Sequence, residues 1–106
     1  AAKLEERAAN PAAMMAQARV ASDLMKSLSN ETRLMILCLL SSGEMTVSEM
    51  EDRLHVQQAP LSQQLARLRN ERLVKTRREG RMIHYSIADP NVSEVVKTLF
   101  RIYCPV

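Results

Sequence analysis

The sequence predicts a mainly α-helical single domain that carries one small β-hairpin. Its 106 residues are 46% hydrophobic and 25% charged, which is enough for one modest core. Only 3% of the residues are aromatic and only two are glycine, a composition that favours helices over a β-sandwich or barrel. The hairpin is predicted because apolar residues alternate with polar ones over 73–88, whereas helical spacing prevails elsewhere.

The first half of the chain predicts a flexible arm followed by three helices. Residues 1–10 are short, charged and alanine-rich, and are assigned to the arm; a capped apolar pattern then predicts a helix over 11–28. After a cap at Ser29-Asn30, the segment 32–41 is apolar on nearly every face, as expected of a helix surrounded by protein. A capping box starts a two-turn third helix at 46–54.

The second half predicts a fourth helix, the hairpin and a fifth helix. Leucines at helical spacing follow Ala59-Pro60 and continue to about residue 70. The hairpin occupies 73–88, with its turn at Glu79-Gly80. The fifth helix is predicted over 90–104, because an Asp-Pro pair caps its start and apolar residues recur at packing distance along it.

Positive charge is concentrated in residues 67–81. This segment holds seven basic residues against Glu71 and Glu79, a net charge of +5, whereas the rest of the chain carries −2. Such a basic face is typical of nucleic-acid binding, because Lys and Arg displace counterions from phosphates. A merely solvated basic surface would show the same charge, so the arrangement of the elements must decide.

The third and fourth helices have the order and polarity of a helix-turn-helix over 46–71, in which the second helix enters the DNA major groove. The exposed side of that helix is rich in groups that both donate and accept hydrogen bonds, as base edges require. The predicted base-reading residues are Gln58, Ser62, Gln63, Gln64 and Arg67. The hairpin at 73–88 would be a wing that contacts the DNA backbone. Its predicted contacts are Lys75, Arg77, Arg78, Arg81 and His84.

Four segments, taken together, resemble the ArsR/SmtB family of bacterial winged-helix repressors over about residues 12–104. They are Leu28-Ser-Asn-Glu-Thr-Arg33-Leu, Leu61-Ser-Gln-Gln-Leu65 within 56–68, Arg72-Leu-Val-Lys-Thr-Arg77 and Gly80-Arg-Met-Ile-His-Tyr85. The resemblance implies a winged helix-turn-helix homodimer that represses transcription from operator DNA until an inducer relieves it. A homodimer built from 11–28 and 90–104 is also expected because so small a core cannot cover both apolar helices. Family members usually carry His at the position of Gln64.

The two cysteines suggest the inducer. Metal-sensing members of the family carry thiols on the helix before the recognition helix, or Asp, Glu and His ligands on the last helix, and this chain has neither pattern. The positions of Cys38 and Cys104 instead resemble the persulfide-sensing branch, the SqrR, BigR and HlyU-like repressors. That resemblance implies that a persulfide or polysulfide joins Cys38 to Cys104 through two or more sulfur atoms and thereby releases the operator.

Several alternatives stay open at this point. Cys38 could be a small buried hydrophobe and Cys104 an idle thiol, or the repressor could respond to another thiol oxidant or to a metal. A protein-interaction adaptor built on a winged helix is a further alternative. A thiol enzyme is not expected, because the chain has no Cys-x-x-Cys pair and no base near either thiol in sequence.

No catalytic residue, metal ligand or cofactor is predicted. The two cysteines and two histidines are too few for a disulfide scaffold or a structural zinc site. The longest apolar run is far short of the roughly 20 residues that span a bilayer, and no signal-peptide pattern is present. A cytoplasmic protein without membrane contacts is therefore expected.

Overall fold

The computed structural model describes residues 10–104, so the predicted arm lies almost entirely outside the described residues. The elements are α1 (Pro11–Leu28), α2 (Glu31–Leu40), β1 (Met45–Thr46), α3 (Val47–Leu54), α4 (Gln58–Asn70), β2 (Val74–Glu79), β3 (Met82–Ile87) and α5 (Pro90–Tyr103). The five predicted helices and the predicted hairpin are confirmed, with boundaries that differ by one or two residues.

Side-chain caps fix the helix starts that the sequence predicts. The side chains of Asn10 and Asn30 accept hydrogen bonds from backbone N–H groups in the first turns of α1 and α2. In α3, the Thr46 hydroxyl accepts from the Glu49 N–H while the Glu49 carboxylate accepts from the Thr46 N–H, which completes the capping box. Asp89 caps α5 by accepting a hydrogen bond from the Asn91 N–H. These bonds satisfy donors that a helix otherwise leaves unpaired.

The wing contains a third strand that the sequence analysis missed. Strands β2 and β3 form the antiparallel hairpin, with Gly80 at a φ of +61° in its turn. Strand β1 pairs antiparallel with β3 through Met45 opposite Tyr85 and Thr46 opposite His84, so the sheet order is β1-β3-β2. The two-stranded prediction is therefore corrected to a three-stranded sheet. A strand of two residues is too short to show alternation, and Thr46 is also the cap of α3.

Helix α2 lies at the centre of the molecule and packs against α1, α4 and α5. The core side chains that are at most 3% exposed are Ile36, Leu37, Leu40, Met50, Leu61, Leu65, Leu68, Val74, Val92 and Val96. This burial explains why the sequence of α2 is apolar on nearly every face. A displacement of α2 would therefore change its packing against both α4 and α5.

Most side chains of α1 are exposed, and those that are buried or half-buried, Leu24, Ser27 and Leu28, lie near its C-terminal end. Helix α5 ends at Tyr103, with Cys104 as its C-cap, one residue earlier than predicted. None of the helices in the described part of the chain is long and apolar enough to cross a membrane.

Candidate nucleic-acid interface and thiol pair

Helix α4 presents a polar face outward because its leucines anchor the opposite face. Leu61, Leu65 and Leu68 are fully buried. The predicted base-reading residues Gln58, Ser62, Gln63 and Arg67 are all exposed. The Arg67 guanidinium lies 3.6 Å from Glu71, one turn further along the helix. Because an exposed ion pair of this kind is weak, the Arg67 side chain stays accessible.

Gln64 differs from the other predicted readers. Its side chain is half-buried, and its Oε1 atom accepts a hydrogen bond from Nη1 of Arg33 at 2.9 Å. The structure therefore turns one polar atom of Gln64 towards the protein interior. Arg33 was not assigned a role from the sequence, although a charged residue within an otherwise apolar segment is a signal that could have singled it out.

On the wing, three predicted backbone contacts, Lys75, Arg78 and Arg81, are exposed. The other two have acidic neighbours within the protein. Arg77 donates hydrogen bonds to Glu44 and to Glu79, and these carboxylates raise the pKa of Arg77.

His84 is the less exposed of the two wing residues with acidic neighbours. Its ring nitrogens lie 4.0 Å from Glu44 and 3.6 Å from Glu79, and its side chain is 17% exposed. Hydrogen bonding with Arg77 is also the main cause that lowers the pKa of Glu44. This acidic residue, which precedes β1, was not singled out from the sequence.

The two thiols lie on helices that pack against each other. Cys38 is on α2 and is 8% exposed, within the same core cluster as Val92 and Val96 of α5. Cys104 is half-buried at the end of α5, where its N–H donates to the Phe100 carbonyl at 2.8 Å. Both cysteines are free.

The environment of Cys38 suppresses its ionisation. Burial, and to a smaller extent the negative charge of the nearby Cys104, together raise the pKa of the Cys38 thiol to about 12. At neutral pH Cys38 is therefore a protonated thiol that is shielded from solution. Cys104 is the less buried of the two residues.

No group of three or more His, Cys, Asp or Glu side chains within residues 10–104 is arranged to hold a metal ion. Glu44, Glu79 and Arg77 form an ion-pair cluster on the wing, and His84 lies beside the two carboxylates.

Comparison with known proteins identifies the family to which this chain belongs. Residues 30–76 match the family model described as "Bacterial regulatory protein, arsR family". The chain is 42% identical to the transcriptional activator HlyU of Vibrio cholerae, over 76% of this chain and 75% of that protein. It is 39% identical to the biofilm growth-associated repressor of Agrobacterium fabrum, over 87% and 79%. The chain belongs to the ArsR family.

Solved structures agree with the assignment to the ArsR family. Reduced HlyU from Vibrio cholerae superposes with a TM-score of 0.81 at 39% identity, covering 87% of this chain and 97% of that one. The transcriptional repressor BigR from Xylella fastidiosa superposes with a TM-score of 0.83 at 35% identity, covering 92% and 99%. The winged helix-turn-helix prediction is confirmed, and this ArsR-family chain is a DNA-binding transcriptional regulator, not an enzyme.

Proposed function

We propose that this regulator is a homodimeric repressor that binds operator DNA and releases it when reactive sulfur species bridge Cys38 to Cys104. The observation that carries the proposal is the packing of α2 against α5, with a shielded thiol on the first helix and an accessible thiol at the end of the second. Two relatives support it: BigR from Xylella fastidiosa is a transcriptional repressor, and HlyU from Vibrio cholerae has a structure in a reduced form.

The homodimer is proposed because α1 and α5 expose large apolar side chains that the subunit leaves uncovered. They are Met14, Met15, Val20 and Met25 on α1 and Val95, Phe100, Ile102 and Tyr103 on α5. Surfaces of this kind on two neighbouring helices are covered by a second copy in a symmetric dimer. The dimer would then hold two copies of α4 at a fixed separation.

In the proposed complex, α4 of each subunit enters the major groove, and the two half-sites lie about 34 Å apart. Gln58, Ser62, Gln63 and Arg67 would contact base edges, because they are exposed on the outward face of α4. Lys75, Arg78 and Arg81 on the wing would contact phosphates, which gives affinity without sequence preference. Arg77 and His84 would contribute less net charge, because Glu44 and Glu79 accompany them.

The first chemical step would take place at Cys104, the more accessible thiol. Its thiolate attacks the outer sulfur of a low-molecular-weight persulfide, R–S–SH, and the S–S bond of the reagent breaks. The products are the Cys104 persulfide, Cys104–S–SH, and the thiol R–SH. The cysteine gains one sulfane sulfur, and the reagent is reduced.

In the second step, Cys38 attacks the Cys104 sulfur atom, and the departing group is hydrosulfide. The proton of the Cys38 thiol leaves with it, so the products are a Cys38–Cys104 disulfide and H₂S. If Cys104 has already received two sulfurs, attack on the inner added sulfur gives a trisulfide and again H₂S. Direct disulfides require Cα atoms about 4.4–6.8 Å apart, so added sulfurs suit thiols held further apart. The burial of Cys38 shields it from oxidants in solution, so in this proposal it reacts only with the sulfur that Cys104 brings to it.

Bridging would tie the dimer helix α5 to α2, which packs against α4. A change in the separation of the two recognition helices then weakens binding to both half-sites together. A hundredfold loss of operator affinity corresponds to about 2.7 kcal/mol between the reduced and bridged states, a size typical of allosteric coupling.

The proposal is tested by binding to a duplex selected from a randomised library with the reduced wild-type protein. We expect affinity to fall steeply with salt, and to fall about a hundredfold after treatment with polysulfide. The variants Cys38→Ser and Cys104→Ser should bind as the reduced wild type does and should keep that affinity after treatment. A Cys38→Ser protein that polysulfide still releases would overturn the switch.

The same assay separates the alternative inducers. Hydrogen peroxide and oxidised glutathione are added in place of polysulfide, and a metal ion in a further arm. Release by one of these reagents, with no release by polysulfide, would assign the regulator to another thiol oxidant or to a metal. An adaptor would select no duplex at all.

A further inference from the structure

Arg33 is a charged side chain enclosed at the beginning of α2. It is 4% exposed, and among residues 10–104 it forms no ion pair with a carboxylate. Its Nε donates to the Ser27 carbonyl of α1 at 2.7 Å, and its Nη1 donates to Oε1 of Gln64 of α4 at 2.9 Å. A buried guanidinium needs such acceptors, because an unsatisfied buried charge is strongly unfavourable. Arg33 therefore joins three helices through one side chain.

A second bond joins the same turn of α1 to the end of α4. The Ser27 hydroxyl, which is buried, donates to Oε2 of Glu71 at 2.7 Å. Gln64 and Glu71 are seven residues apart, which is about two helical turns and roughly 10.5 Å along the axis. Two attachment points this far apart on one helix face fix the tilt of α4, not only its position.

We infer that Gln64 is a positioning residue: through its bond to Arg33 it sets the orientation of α4 relative to α1 and α2, and it does not read a base. The inference rests on the DNA-binding part of the proposed function. It explains why Gln64 is half-buried while Gln58, Ser62 and Gln63 are exposed on the same helix. Because α1 is the proposed dimer helix, the orientation of α4 relative to α1 also sets the spacing of the two recognition helices.

The inference is tested with Gln64→Met, which removes the acceptor at similar size, and Gln64→Glu, which keeps an acceptor for Arg33. The matched control is Gln63→Met on the exposed face. The affinity of each protein, reduced, is measured for the duplex selected by the wild type and for a panel with single base-pair substitutions. Thermal unfolding of each variant is recorded alongside.

We expect Gln64→Met to weaken binding about tenfold on every duplex of the panel, with the base preference unchanged, and to melt at a lower temperature. Gln64→Glu should recover most of the affinity and the melting temperature. Gln63→Met should melt as the wild type does and lose about tenfold or more of the discrimination at one base pair.

Two results would overturn the inference. One is a loss of discrimination at a single base pair in Gln64→Met. The other is a Gln64→Met protein that binds and melts as the wild type does, because the bond to Arg33 would then not hold α4 in its orientation. A Gln63→Met protein with unchanged base preference would instead contradict the proposed base contacts of α4. Failure of the inference about Gln64 can therefore be told apart from failure of those base contacts.

Discussion

Cys38 and Cys104 differ in the property that decides thiol chemistry, which is access to the thiolate. Cys38 is enclosed by the core, and its pKa is raised to about 12 by burial and by the charge of Cys104. Cys104 is half-buried at a helix end. In such a pair we expect the more accessible thiol, Cys104, to react with the reagent first and the buried thiol, Cys38, to form the covalent link afterwards.

The raised pKa of Cys38 predicts a specific pH dependence of stability. Below pH 9.0 the Cys38 thiol is protonated in both the folded and the unfolded chain, so it does not make the free energy of unfolding depend on pH. Between pH 9.0 and about 12 the unfolded chain loses this proton and the folded chain keeps it, so the free energy of unfolding falls by about 1.4 kcal/mol per pH unit. Urea unfolding of wild type and Cys38→Ser at several pH values above 9.0 measures the difference. Parallel slopes for the two proteins would contradict the prediction.

At this scale the sequence was informative about polar side chains that face solvent and silent about polar side chains that face inward. The polar face of α4 was readable, because helical spacing separates Gln63 and Arg67 from the buried leucines. The hydrogen-bond partner of Gln64 could not be predicted, because Arg33 is 31 residues away and only the packing of α2 against α4 brings the two together.

Local signals determine where the elements begin. The capping box of α3 combines helix capping with the pairing of β1, because Thr46 belongs to both. Helices and hairpin were therefore predictable from caps, turns and apolar spacing. The short β1 was not, because only β3, about 40 positions later in the chain, gives it a partner.

The capping box predicts a measurable cost for Thr46→Ala. The loss of the cap should lower the free energy of unfolding by about 1 kcal/mol, within a range of roughly 0.5–2 kcal/mol. The control is Ser48→Ala, an exposed hydroxyl in the first turn of the same helix. Equal stability of the two variants in chemical denaturation would contradict this role of Thr46.

The ion-pair cluster on the wing predicts that two adjacent arginines contribute differently to DNA binding. Arg78 is exposed, whereas Arg77 is accompanied by Glu44 and Glu79. Arg78→Ala should therefore reduce the slope of log affinity against log salt by about one, as the loss of one phosphate contact does.

Arg77→Ala is the matched control and should change that slope less. Binding titrations over a series of salt concentrations give both values. A larger change of the slope for Arg77→Ala than for Arg78→Ala would contradict the prediction, because it would show that Arg77 contacts a phosphate despite Glu44 and Glu79.

At the scale of the whole molecule, the exposed apolar faces of α1 and α5 dominate. Met25 is 69% exposed and Tyr103 is 76% exposed, values that a lone subunit does not explain. In the proposed dimer these faces set the distance between the recognition helices, which no single subunit can fix. The sequence indicated the dimer only through apolar positions in excess of what its core can cover.

A charge placed on this face should separate the subunits. Met25→Glu is expected to be monomeric in sedimentation velocity at concentrations where the wild type is a dimer, because burying an unpaired carboxylate is unfavourable. Its operator affinity should fall with it, since one half-site alone is bound weakly. Ser42→Glu, which adds the same charge at an exposed turn, should remain a dimer. A dimeric Met25→Glu protein would place the interface elsewhere.

The central claim is that one subunit can join Cys38 to Cys104. Its most direct test is the mass of the denatured, unreduced protein after polysulfide treatment, followed by mass mapping of its proteolytic peptides. We expect the mass of a single chain with the Cys38 and Cys104 peptides covalently linked, directly or through added sulfur, and separated again by reduction. Two cysteines that both stay free under excess polysulfide, or a link only between two chains, would contradict it.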